Sequence, residues 1–89
     1  MNWWRRKQAM RIEFKTAHRG YVLSLEQDLF GFYVLIRRWY GLSNRRGGMK
    51  REVFDDEKSA LQAFGRVEKL RIRRGYQPSS VSADFPFLV

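Results

Sequence analysis

The sequence predicts an α+β domain, with a twisted antiparallel sheet of about four strands packed by one α-helix over about 56–74. Three observations carry this. The runs 11–17, 21–26, 32–40 and 49–54 are rich in β-branched and aromatic residues or alternate with a period of two, as strands do. Short links containing Gly, Asn and Asp join them, which favours hairpins over crossovers. A single stretch with apolar residues at spacings of three and four then follows, opened by acids and closed by glycine.

Residues 1–10 read as a basic arm, with Trp3 and Trp4 available to pack on the body and Arg5, Arg6 and Lys7 following them. In the first strand Ile12 and Phe14 share one face, and Arg11, Glu13 and Lys15 share the other. His18-Arg19-Gly20 is a break. Tyr21, Leu23 and Leu25 then mark the core face of a second strand. Asp28 and Gly31 suit the turn into Phe32–Tyr40, the most β-prone run in the chain. Gly41–Gly48 is a loop, and Met49–Phe54 returns as a shorter strand. Asp55 is the expected N-cap, with Asp56 and Glu57 in the first turn where the helix dipole favours anions. Ala60, Ala63, Phe64, Val67 and Leu70 form the apolar stripe, and Gly65 should face solvent or a close neighbour. Gly75 supplies a left-handed stop after Arg71, Arg73 and Arg74. The domain proper is expected over 11–77, with 78–89 a tail that opens on linker-like residues and ends in Phe85-Pro86-Phe87-Leu88-Val89.

Charge narrows the function. Eighteen Lys and Arg against nine Asp and Glu leave a formal net charge of +9, which attracts polyanions over long range. The absence of Cys excludes disulfides and thiolate zinc sites. One His and a cluster of acids explained by a helix start provide no catalytic constellation and no metal site. An enzyme and a bound cofactor are therefore not expected. No apolar run approaches the roughly 20 residues of a membrane span, and the amino-terminal residues lack a secretory pattern. A cytoplasmic protein is expected.

From Arg37 to Arg51 the chain carries six cations and no carboxylate. Arg37, Arg38, Lys50 and Arg51 flank the central hairpin. Asn44-Arg45-Arg46-Gly47-Gly48 can wrap phosphates through guanidinium forks and backbone N–H groups. It lacks the spacing of a nucleotide-binding P-loop, and a solvated hairpin tip is the alternative. Trp39 among these cations can stack on a base, while burial at the end of a strand is the alternative. Arg71, Arg73 and Arg74 leave two readings open, complementarity to the helix dipole without any ligand or a ligand contact.

Three stretches, Tyr21-Val22-Leu23-Ser24-Leu25, Asp28–Leu35 and Arg38-Trp39-Tyr40-Gly41, resemble the front half of a WGR domain. The basic Gly-rich loop, the strand ending at Phe54, Ala60, Phe64, Lys69 and Arg74-Gly75-Tyr76 resemble its back half. The resemblance covers roughly 11–77. It implies a sheet with one helix against it, as in free-standing bacterial domains and in DNA-dependent poly(ADP-ribose) polymerases, where the domain grips DNA near a strand end. By position, Trp39 would pack against a terminal nucleotide and Tyr76 would contact backbone. The Gly and Arg of the signature are replaced here by Tyr40 and Gly41, so the relay role of that Arg has no counterpart.

The expected function is non-catalytic binding of nucleic acid, with DNA ends, nicks or junctions favoured over RNA, through Arg37, Arg38, Trp39, Arg45, Arg46, Lys50, Arg51 and Tyr76. About five phosphate contacts imply a slope of log affinity on log salt near −4.5. A protein-interaction module, docking an acidic partner with the apolar tail as anchor, is the alternative from another class. RNA binding is a third.

Overall fold

Alternation of side chains builds the sheet. In β1 (Ala9–Lys15) Met10, Ile12 and Phe14 fall on one face, and β2 (Arg19–Gln27) places Tyr21, Leu23 and Leu25 beside them. β3 (Tyr33–Gly41) continues that face with Tyr33 and Leu35, then with Arg37 and Trp39. β4 (Gly47–Phe54) pairs with β3, Phe54 opposite Tyr33 and Gly48 opposite Trp39. The computed structural model describes residues 9–44 and 46–84. Most of the expected arm (1–8), Arg45 and the apolar end of the tail (85–89) lie outside the described residues.

The helix α1 (Glu57–Arg73) covers the face bearing Ile12, Phe14, Tyr21, Leu23, Leu25 and Leu35 with Ala60, Ala63 and Phe64. Phe14, Leu23, Leu25 and Leu35 are the largest of the fully buried side chains, and each contributes about 1.5–3 kcal/mol through burial. The N-cap is Asp56, one residue later than expected. Its backbone is extended and its Oδ2 accepts the N–H of Ser59 at 2.9 Å. At the other end Gly75 has φ 92. The N–H of Gly75 donates to the carbonyl of Ile72 and that of Tyr76 to the carbonyl of Arg71, each at 3.0 Å. These two bonds are the Schellman stop, and they turn the chain sharply back toward the sheet.

The described sheet has five strands in the order β4-β3-β2-β1-β5, all neighbours antiparallel. The strand beyond the expected four is β5 (Gln77–Asp84), which runs along the outer edge of β1. Its polar, Ser-rich sequence has no apolar period, so nothing local marks it. It forms because the helix stop delivers the chain to an edge whose backbone N–H and C=O groups need partners. The register shifts between Glu13 and Phe14, where Pro78 lacks an N–H to give, and the hydroxyl of Ser79 donates to the Glu13 carbonyl at 3.1 Å.

Candidate nucleic-acid interface

The sheet is longer than the helix stop can cover, and the uncovered end opens into a cavity of about 770 Å³. Its walls come from the β1–β2 turn, the end of β3, the β3–β4 loop and the last turn of α1. The described lining includes His18, Arg19, Arg37, Arg46 and Arg71 and the rings of Tyr21, Trp39, Tyr40 and Tyr76, and among the described residues it holds no carboxylate.

Local structure fixes each wall. The Thr16 hydroxyl accepts the N–H groups of His18 (3.2 Å) and Arg19 (3.0 Å), which holds the first turn at the rim. The Leu42 amide donates to the His18 carbonyl at 2.9 Å and ties that turn to the β3–β4 loop. Within the loop, Asn44 Oδ1 accepts the Arg46 amide at 3.0 Å. The helix stop does the rest, because closing the Schellman bonds onto Arg71 carries Tyr76 into the core beside Tyr21.

Three aromatic rings gather around Tyr21. Trp39 lies nearly parallel to its cross-strand partner Tyr21, with centroids 6.3 Å apart and planes at 20°. Tyr76 and Phe14 meet the Tyr21 ring edgewise at 5.8 and 6.3 Å. The Arg71 guanidinium sits 4.7 Å from the Tyr21 centroid and 5.5 Å from that of Tyr76, a cation–π arrangement. Tyr21 is buried, whereas Trp39 keeps 39% of its surface exposed. The indole is thus fixed underneath and accessible above. Glycine makes this possible: a Cβ at Gly48 would lie 2.8–3.1 Å from three indole atoms, and one at Gly47 would strike the Trp39 carbonyl.

Among the described residues Arg37 has one ionic neighbour, Glu52, at a loose 3.7 Å. The Nε atoms of Arg37 and Arg71 are buried and find no hydrogen-bond partner among the described residues. Two guanidinium groups at the cavity therefore present buried Nε donors for which the described residues supply no acceptor.

The structure brings together Arg37, Trp39, Arg46 and Tyr76 from the residues singled out in the sequence. The strand pleat sends Arg38 and Arg51 to the opposite face of the sheet, where both are exposed. Lys50 pairs with Arg37 on the helix side but does not line the cavity. Arg45 lies outside the described residues. Arg19, His18, Tyr21 and Arg71 line the site without having been picked out for it. Tyr21 reads as an ordinary core residue and Arg71 as a dipole complement. The signal available for Arg71 was its position four residues before the left-handed Gly75, which a Schellman stop bonds to Tyr76.

Among the described residues no helix is long and apolar enough to cross a membrane, and no group of three potential ligands could hold a metal ion. A family model described as the WGR domain matches residues 6–83, extending on both sides of the span expected from sequence. The uncharacterized protein y4dW of Sinorhizobium fredii (strain NBRC 101917 / NGR234) is 35% identical over 60 residues, which is 67% of this chain and 29% of that protein. The chain therefore spans less than a third of that relative's length. No solved structure matches.

Proposed function

The chain belongs to the WGR domain family, and from that premise we propose that it is a non-catalytic domain binding nucleic acid through the cavity around Trp39. The family is associated with nucleic-acid binding in polymerases of the poly(ADP-ribose) type. The observation that carries the proposal is the half-open indole, backed by Tyr21, in a cavity to which the described residues contribute four Arg side chains and no carboxylate. Guanidinium forks match phosphate oxygens, and a base stacked on an aromatic ring contributes about 1–3 kcal/mol. The volume of about 770 Å³ falls within the range of ligand pockets, roughly 300–1,000 Å³.

The preferred target is a DNA terminus, nick or junction. Inside a continuous duplex both faces of each base are covered by neighbours, so an indole held on a rigid support finds a bare ring only where stacking is interrupted. The guanidinium groups set the position of the backbone without reading sequence. The site of action in this proposal is the cytoplasm.

Affinity for blunt duplex, nicked duplex, single-stranded DNA and RNA of matched length tests the proposal, with Trp39→Ala measured beside the parent. Nicked or blunt duplex should bind most tightly, and the substitution should weaken that binding by about 5- to 150-fold, the equivalent of 1–3 kcal/mol. Equal affinity for all four probes, unmoved by the substitution, would leave only nonspecific attraction.

A further inference from the structure

The two edges of the sheet differ in character. β5 carries Pro78 and a Ser-rich run, features that discourage a further strand. β4 carries no proline and pairs with β3 along its whole length without a bulge. Among the described residues it has no strand on its other side. Its outward N–H and C=O groups are a ready template for another strand. Met49 and Val53 are 62% and 60% exposed on the face away from the helix, one on each side of Arg51. Lys50 and Glu52 belong to the helix face, and the Glu52 side chain remains 42% exposed despite its loose contact with Arg37.

This order of residues is complementary to itself. Cations alone would blunt the edge, but here a carboxylate stands on the same face as the lysine, with one residue between them. When the strand meets its own copy antiparallel, paired residues share a face, so the centre of the pairing falls on a residue. Centred on Arg51, Lys50 faces Glu52 of the second copy and Glu52 faces its Lys50, while Met49 and Val53 cover one another. The unfavourable pair is Arg51 against itself. A centre one residue earlier sets Lys50 against itself and Met49 against Arg51. A centre one residue later sets Glu52 against itself and Arg51 against Val53. Of the three, the Arg51 register alone joins opposite charges and exposed apolar side chains in every flanking pair.

We propose that two copies of this chain associate through their β4 edges, antiparallel and centred on Arg51, so that one sheet runs through both. The twofold axis stands perpendicular to the sheet, which leaves both helices on one face. The two cavities lie at opposite ends of the strand pair, about 27 Å of strand apart. A contact of one strand pair falls below the roughly 1,200–2,000 Å² of stable complexes, so the association is weak and the protein is monomeric at the dilution of a DNA-binding titration. The net charge of +9 on each copy opposes it, although charges more than about 8 Å apart are screened at physiological salt. The association does not depend on what the cavity binds.

Sedimentation equilibrium of the full chain from about 10 μM to about 1 mM, the range in which weak complexes populate, tests the proposal. The apparent mass should rise from that of one chain toward that of two. Lys50→Glu and Glu52→Lys should each weaken association roughly tenfold, since like charges then face each other in both pairs. Mixing the two variants should restore it, because every Glu then meets a Lys of the other chain. Arg51→Thr should tighten association about threefold or more by removing the central repulsion. A single-chain mass throughout would overturn the proposal. So would a dimer insensitive to all three substitutions, since the contact would then lie elsewhere, the exposed Leu29 and Phe30 included. Variants that lose association and do not recover it on mixing would overturn the register.

Discussion

The pleat of β3 and β4 sorts the basic residues, so their parts in binding can be separated by salt dependence. Arg19, Arg37, Arg46 and Arg71 line the cavity, whereas Arg38 and Arg51 project from the other face. Each phosphate neutralised on duplex DNA contributes about 0.9 to the slope of log affinity on log salt, so four cavity contacts correspond to a slope of about −3.6. That is shallower than the value near −4.5 that five contacts would give. Arg46→Gln is the informative substitution, because the side chain is exposed and the loop bond to Asn44 uses only its main chain. It should reduce the slope by about 0.9. Arg38→Gln and Arg51→Gln should leave the slope where it is. The assay is fluorescence anisotropy of a labelled nicked duplex, titrated at several salt concentrations for each variant. If Arg38→Gln and Arg51→Gln flatten the slope and Arg46→Gln does not, binding occurs on the face away from the helix and the cavity assignment is wrong. A slope near zero for the parent would remove the electrostatic mechanism altogether.

Three further outcomes follow from local geometry. Gly48→Ala places a Cβ 2.8–3.1 Å from the indole, so Trp39 must tilt. Terminus binding should fall roughly tenfold while the salt slope stays constant, and a change in slope alone would contradict this. Gly65→Ala should stabilise the fold by about 0.5–1 kcal/mol, because an added Cβ there meets nothing within 4 Å and alanine suits a helix interior better. Calorimetry should show a rise in Tm of about 2–8 °C. The Asp56 carboxyl is held below its ordinary value, first by the backbone N–H of Ser59, then by the Ser59 hydroxyl, with a small pull from Lys58, against an opposing desolvation. A depressed folded-state value means that its stabilisation is present above the usual carboxylate range and fades as pH falls through the depressed value. Asp56→Asn should keep the cap but flatten that part of the acid unfolding curve, and an unchanged curve would count against the assignment.

Much of the fold was written in local pattern. Alternation or β-branched and aromatic composition marked the four strands from Ile12 to Phe54, and the spacing of Ala60, Ala63 and Phe64 marked the helix face. Gly75 announced the stop. The cap was misplaced by one residue because Asp55 and Asp56 are chemically the same, and only the chain path chooses which carboxylate meets Ser59. β5 was illegible for a different reason. Gln77-Pro78-Ser79-Ser80 carries no apolar face, and its pairing is a response to the open edge of β1.

For the site, the sequence by itself determined the material: a net charge of +9, a Trp set among cations, and a glycine pair ahead of the return strand. Only the tertiary structure decided which of those cations belong together. Adjacent strand residues point to opposite faces, so Arg37 and Arg38 part company although they are neighbours in the chain. The helix stop meanwhile brings Arg71 and Tyr76 to Tyr21 across about fifty residues of sequence. Charge and composition belong to the chain as a list, whereas a concave surface exists only once distant segments have been folded against each other.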